Sequence, residues 1–212
     1  MLRPNMLQFV TSAIRDIKNV GSVVPSSPAL SRALAAGVTA SRGPVRVLEV
    51  GPGTGPVTRE LLKRIGPDDV LDIVELNDDF VRHMEEQVLG PWRLANPGRR
   101  VTLHHAAVQD AALQQGSYDF VVSGLPFNNF DSALVESILR SYMQLLKPGG
   151  ELSYFGYVGA KVVKGAIGGG AGRANIGRIR SIEDGMFAAH GGTRTIVLPN
   201  IPPAEVRRLR KR

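Results

Sequence analysis

Residues 47–58 read VLEVGPGTGPVT, and this stretch decides the fold. An apolar run from Val45 to Val50 carries one acid, Glu49. Glycines follow at alternate positions, Gly51, Gly53 and Gly55, and a helical pattern from Val57 to Ile65 begins at once and stops at Gly66. The order is strand, tight turn, helix. Glycine is needed where the backbone takes positive φ or comes close to a ligand. Such a unit places a nucleotide-type ligand at the carboxyl end of a first parallel strand.

The spacing is G-x-G-x-G, not the G-x-G-x-x-G of dinucleotide binders. A diphosphate carrier wants a helix N-terminus aimed at its phosphates. S-adenosylmethionine has no diphosphate and needs room for a methionine tail and a sulfonium, and Glu49 suits such a cationic ligand. A second strand, Val70 to Val74, ends in Glu75, 20 residues after Gly55. An acid there can accept hydrogen bonds from both ribose hydroxyls. Loop and acid together predict S-adenosylmethionine as cofactor and S-adenosylhomocysteine as product, held by Glu49, Gly51, Gly53, Thr54, Gly55, Glu75 and Leu76. A nicotinamide dehydrogenase and a purely structural turn are the weaker readings.

The 212 residues suit one domain, 1–212, with a substantial core. With no cysteine, neither a disulfide nor a cysteine metal site is possible. There is no secretory signal, and no apolar run approaches the roughly 20 residues that span a bilayer. The expectation is a cytoplasmic protein, soluble or peripheral on the inner face of a membrane. Charge is uneven: 26 basic residues face 19 acidic ones, a net +7. Arg207, Arg208, Arg210, Lys211 and Arg212 crowd the last six positions, and Lys161, Lys164, Arg173, Arg178 and Arg180 form a second group. Such patches suit an anionic partner, or form a solvated tail.

Met6 to Val20 places apolar side chains at 6, 10, 13, 14, 17 and 20, an amphipathic helix flanked by Arg3, Arg15 and Lys18. It packs on the sheet or lies in a membrane interface. Ser27 and Pro28 open a second helix, Pro28 to Ala36, with Gly37 as its stop. Asn77 or Asp78 caps a helix from Phe80 to Leu89, ended by Gly90. Val101 to His105 is a third strand and Tyr118 to Ser123 a fourth, apolar enough to be buried on both faces. Asp131 begins a helix to Leu146, and Glu151 to Tyr157 is a fifth strand. Thr193 to Leu198 and Glu205 to Leu209 form an antiparallel hairpin. The glycine-rich Lys164 to Gly177 reads as a mobile loop, either a plain insertion or a substrate lid. Strands alternating with helices define an α/β, Rossmann-like fold of the class I S-adenosylmethionine-dependent methyltransferase type. Its seven-stranded sheet is mainly parallel, with helices on both faces and the C-terminal hairpin at its edge.

Ligands in such sheets sit beyond the carboxyl ends of the strands. The fourth strand ends in SGLPFNNF, residues 123–130. Backbone carbonyls there face an amine nucleophile, and Phe127 and Phe130 supply an apolar wall. After the third strand comes HHAAVQDA, residues 104–111. Gln109 or Asp110, or backbone groups at Ala107 and Val108, meet the adenine amine. His104 and His105 read as strand residues, not as metal ligands.

Six pieces together resemble the bacterial phospholipid N-methyltransferases, relatives of the rRNA adenine dimethylases. They are GSVVPSSPALSRALA (21–35), VLEVGPGTGPVTRELL (47–62), IVELNDDFV (73–81), YDFVVSGLPF (118–127), LKPGGELSYFGY (146–157) and LPNIPPAEV (198–206). The resemblance implies methylation of phosphatidylethanolamine. It implies a membrane-touching N-terminal helix, with Pro25, Ser26 and Ser27 closing the cofactor pocket. It places the headgroup at Ser123, Gly124, Leu125 and Tyr157, Ser123 also meeting the cofactor. Two departures leave the amine lipid open, ornithine lipids included: Ala107 stands where an acid is expected, and the glycine-rich insertion and basic C-terminus exceed the minimal family pattern.

A primary alkylamine has a pKa of about 10 and must lose a proton before it attacks; Tyr157 or Tyr154 is the candidate acceptor or relay. A lipid phosphate would want Arg173, Arg178 or Arg180. The main rival is an rRNA adenine dimethylase. Those enzymes carry N-[LI]-P-[YF], and here Gly124 replaces the Asn whose carbonyl accepts from the base. They also carry a following RNA-binding domain, which this sequence is expected to lack. Nucleic acid is therefore not the expected partner. A small-molecule methyltransferase with the N-terminal helix as lid, and a non-enzymatic module that binds the cofactor, are the remaining rivals.

Overall fold

A computed structural model describes residues 25–39, 43–158 and 169–212. The expected Met6–Val20 helix, Lys161, Lys164 and the start of the glycine-rich stretch lie outside the described residues.

Seven strands form one sheet: β1 (Arg46–Val50), β2 (Val70–Glu75), β3 (Arg100–His105), β4 (Tyr118–Ser123), β5 (Leu146–Tyr157), β6 (Gly192–Val197) and β7 (Ala204–Arg210). Their order is β3-β2-β1-β4-β5-β7-β6. The first five are parallel, and β7 runs antiparallel between β5 and β6. The chain moves outward from β1 to β3 and then returns to β4 on the other side of β1. That reversal opens a crevice above β1 and β4.

The helices are α1 (Pro28–Leu34), α2 (Pro56–Leu62), α3 (Asp78–Met84), α4 (Gly90–Ala95), α5 (Ser132–Leu145) and α6 (Gly169–His190). Alternation along β1 divides the core. Val47 joins α1, α2 and α3 on one face, through Leu30, Leu61 and Met84. Leu48 and Val50 join α5 and α6 on the other, through Leu134, Ile138 and Ile179. The sheet is therefore covered on both sides, as continuous apolar strands require.

Three elements depart from expectation. Gly169 to Gly177 is not a loop but the first part of α6. Each glycine costs a helix about 1 kcal/mol relative to alanine, and tertiary contacts override that cost. Asn175 accepts from the Ser132 amide at 2.9 Å and donates to the Phe130 carbonyl at 2.9 Å. Further along, Ile179 is buried and Glu183 pairs with Arg207. Gly90 does not end the third helix either. The chain passes through a π turn, Glu85–Leu89, and continues as α4. Pro91 has no N–H to give, and a Cβ at Gly90 would come within 2.7 Å of the Glu85 carbonyl oxygen.

The basic C-terminus is no solvated tail. Arg207 is ion-paired with Glu183 and Glu205 in β7, Arg208 donates to the Ala33 carbonyl, and Lys211 donates to the Met143 and Leu146 carbonyls at the end of α5. Only Arg210 and Arg212 of that group are exposed.

Candidate active site

The glycine turn bends over the carboxyl end of β1. Gly51, Gly53 and Gly55 have φ of 70°, 57° and 82°. Gly51 is boxed in as well, since a Cβ there would meet Leu125 Cδ2 at 2.3 Å, whereas Gly53 has open space on that side. Two lobes of one cleft meet at Gly51. The first, about 30 Å³, is bordered by Val74, Glu75, Leu76, Ala107, Val108, Gln109, Leu125 and Phe130 among others. The second, about 60 Å³, is bordered by Pro25, Ser26, Gly53, Thr54, Val57, Gly124, Pro126, Phe155 and Tyr157.

Glu75 anchors the first lobe. Its Oε1 accepts from the Leu76 and Asn77 amides at 2.8 and 2.9 Å, and its Oε2 accepts from the Gly53 amide at 3.2 Å. The carboxylate thereby ties the end of β2 to the glycine loop. Between the two adenine candidates, Gln109 faces the lobe and Asp110 is exposed. Gln109 Nε2 is buried without a hydrogen-bond partner.

Glu49 lies beneath the loop with no exposed surface, and neither carboxyl oxygen has a hydrogen-bond partner. Burial pushes its pKa up to about 8; the neighbouring Thr58 hydroxyl pulls it down and the Glu75 charge adds to the rise. The carboxyl is therefore neutral at pH 7 until a cation approaches. These groups suit S-adenosylmethionine: an unpaired amide donor at Gln109 toward a purine, the amide-anchored acid Glu75 at a ribose position, and the unpaired carboxyl of Glu49 buried under the glycine turn.

Several expected contacts fall elsewhere. Ser27 turns away from the cleft to cap α1, its Oγ accepting from the Leu30 amide at 3.2 Å and its amide donating to Asn200 Oδ1 at 3.0 Å. Ser123 is fully buried and accepts from the Tyr142 hydroxyl at 3.0 Å, so its side chain supports β4 from behind. Leu125 lines the first lobe, whereas its neighbour Gly124 and Tyr157 line the second. Phe127 is a core residue packed on Tyr154 at 5.5 Å between ring centroids.

The apolar wall of the second lobe is instead Phe155 and Tyr157, edge to face at 5.3 Å. Period-two alternation along LSYFGY carries the signal for this pair, since Phe155 and Tyr157 share one face and Tyr154 takes the other. Tyr154 is consequently excluded as a proton acceptor. Burial also raises the Tyr157 pKa, so its phenol stays neutral and acts only through its lone pairs and O–H. His104 contacts Asp72 Oδ1 at 3.1 Å and His105 contacts Asp78 Oδ1 at 3.2 Å.

At Gly124 the backbone of β4 crosses the glycine loop so closely that a Cβ would sit 2.4 Å from the Gly51 carbonyl oxygen. No side chain fits there without moving the loop. The acceptor side of the cleft therefore presents backbone and aromatic rings, with no amide or carboxylate side chain at this position.

A doubly wound sheet with a glycine turn over β1 and an acid closing β2 defines a Rossmann-like nucleotide-binding fold. Residues 47–150 match the methyltransferase domain family. The chain is 33% identical over 131 residues to the ornithine lipid N-methyltransferase of Singulisphaera acidiphila, covering 62% of this chain and 67% of that protein. It is 29% identical to the tRNA1(Val) (adenine(37)-N6)-methyltransferase of Tolumonas auensis, covering 54% of this chain and only 52% of that protein. In fold it is similar to the crystal structure of an rRNA-methylase homologue from Clostridium thermocellum, with TM-score 0.62, 18% identity, and coverage of 90% of this chain and 98% of that one. The chain belongs to the S-adenosylmethionine-dependent methyltransferases, and S-adenosylmethionine is its cofactor.

Proposed function

We propose that the protein methylates the amine of a membrane lipid headgroup, of the ethanolamine or ornithine type. The observation that carries this reading is the wall of the second lobe: Gly124, Pro126, Phe155 and Tyr157. An alkylamine can be held there by backbone carbonyls and the Tyr157 hydroxyl, with carbon chain against the two rings. The similarity to an ornithine lipid N-methyltransferase supports the same class of acceptor.

Bound S-adenosylmethionine supplies an electrophilic methyl group. The protein's part is position and protonation state. The cleft must accept the amine in its neutral form, because an ammonium has no lone pair to attack with. A neutral Tyr157 phenol orients that lone pair and passes the lost proton outward, and alignment of amine and methyl accounts for most of the acceleration.

Adenine in RNA is the rival acceptor, by similarity to the tRNA methyltransferase. An adenine amino group conjugated to its ring is a poor nucleophile and wants a strong acceptor beside it. The close crossing at Gly124 denies the site a side-chain acceptor there. Labelled S-adenosylmethionine offered with phosphatidylethanolamine vesicles, ornithine-lipid vesicles, tRNA and ribosomal subunits tests this directly. Label in either lipid is the expected result. Label in RNA alone, or in neither class, rejects the proposal.

A further inference from the structure

Beyond Tyr157 lies a second cavity of about 330 Å³, between the end of β5, the β6–β7 pair and α6. Its charged lining is Arg180, Glu183, Asp184, Arg194, Glu205 and Arg207. All but one of these are matched. Arg207 pairs with Glu183, which is buried, and with Glu205 at 2.8 Å, while Arg194 pairs with Asp184 at 2.7 Å. Arg180 is exposed and has no ion-pair partner among the described residues. Among the three cations considered for an anionic group, Arg178 instead donates to Ser132 Oγ at 3.1 Å, and Arg173 does not border the cavity.

The lip of this cavity is apolar. Val158 and Ile196 line it and are 39% and 59% exposed. Leu198 and Ile201, 72% and 83% exposed, lie in the β6–β7 turn that follows Ile196. Those four are all but one of the large hydrophobic residues exposed among the described residues, the other being Leu94. A charged floor beneath an apolar lip suits an amphiphile, and apolar residues gathered on one rim mark a contact surface.

We infer that this cavity seats the anionic group of a zwitterionic amine acceptor, a phosphate or a carboxylate held by Arg180, while the amine passes Tyr157 into the cofactor cleft. The inference rests on the amine-acceptor reading above and adds a site to it. Tyr157 borders both spaces, so a headgroup a few bonds long reaches from one to the other. The paired acids on the floor repel a bare dianion, and the matched Arg207 cannot turn to it without uncovering Glu183. Among the described residues Arg180 is thus the free cation of the site, and the lip receives the acyl chains.

Calorimetry on the protein saturated with S-adenosylhomocysteine tests this, using glycerophosphoethanolamine, ornithine and dihexanoyl-phosphatidylethanolamine as probes. At least one soluble headgroup is expected to bind, and Arg180→Ala is expected to weaken it about tenfold, the loss of one charge-assisted contact, with S-adenosylhomocysteine affinity unchanged. Arg180→Lys should recover part of the loss. Tighter binding of the dihexanoyl lipid than of its bare headgroup assigns the source to a membrane lipid. Equal affinity assigns it to a free metabolite and removes the role of the lip. No binding of any probe, or binding that Arg180→Ala leaves intact, overturns the subsite even if vesicles are methylated. Arg180-dependent probe binding without vesicle methylation upholds the subsite and rejects the lipid substrate.

Discussion

Glu49, fully buried and bordering neither lobe of the cleft, is a carboxyl that cannot ionise cheaply. Its ordinary pKa of 4.5 rises to about 8 in the fold. Between those values the unfolded chain holds fewer protons at this site than the folded one, so the Glu49 contribution to stability is fully present below pH 4.5 and is lost as pH rises through 8. At about 1.4 kcal/mol per unit, the decline is on the order of 5 kcal/mol. Glu49→Gln keeps the shape and removes the titration. Urea unfolding of both proteins at pH 5 and pH 8 should show the wild type losing several kcal/mol against the variant, and parallel behaviour would refute the assignment. Gly124 makes a steric prediction of similar sharpness. Gly124→Ala drives a methyl group to within 2.4 Å of the Gly51 carbonyl oxygen, and the glycine loop must yield. An overpacked site of this kind costs about 1–3 kcal/mol. Methyl transfer should fall about 10- to 100-fold, through weaker S-adenosylhomocysteine binding measured by calorimetry, and unchanged cofactor affinity would show that the loop is not held by this crossing.

At the scale of elements, two motifs far apart in sequence close the site together. Asn200, in the turn between β6 and β7, is buried; it accepts from the Ser27 amide at 3.0 Å and donates to the Pro202 carbonyl at 2.6 Å. The turn thereby holds the start of α1, and with it Pro25 and Ser26, over the cleft. Asn200→Ala leaves a buried donor and acceptor unpaired at a cost of about 1–3 kcal/mol each at most. It should lower stability by about that amount and raise the KM for S-adenosylmethionine, whereas a loss of stability with an unchanged KM would confine Asn200 to folding. The sequence displayed both motifs but not their contact, because residues 173 apart have no local signal for meeting. The parallel strands, the glycine turn, Glu75 and the C-terminal hairpin were legible, since each is written in a run of adjacent residues. α6 was not: its glycines argued for a loop, and the packed face of Ile179, Ile182 and Met186 shows only in the fold. The side-chain directions of Ser123 and Leu125 were not legible for another reason. A strand end shows which residues lie near a cleft, but the side-chain direction depends on partners such as Tyr142 that only the fold supplies.

For the whole molecule, the largest revision concerns charge. A cluster of cations at the C-terminus reads as an appendage that meets an anionic surface, yet here it is woven into the sheet. β7 lies between β5 and β6, with Ala204, Val206 and Leu209 buried. Arg207 neutralises the buried Glu183, and Lys211 closes the end of α5. Removing residues 204–212 would therefore strip one strand from the middle of a sheet, expose the edge of β5, and leave Glu183 buried without its cation. Breaking one member of a buried pair alone costs about 3–5 kcal/mol, a large part of a typical domain's 5–15 kcal/mol. The truncated chain should show no cooperative thermal transition and should aggregate. A detachable tail would give the opposite result, a folded protein with normal unfolding and weaker binding to anionic vesicles. Arg210→Glu with Arg212→Glu separates the two roles, because both side chains are exposed. That variant should stay within about 0.5 kcal/mol per substitution of wild-type stability, so any loss of vesicle binding, read by sedimentation at low and at 0.5 M salt, reports surface charge alone. Binding that survives both the substitutions and the salt would show that these two cations do not carry the membrane contact.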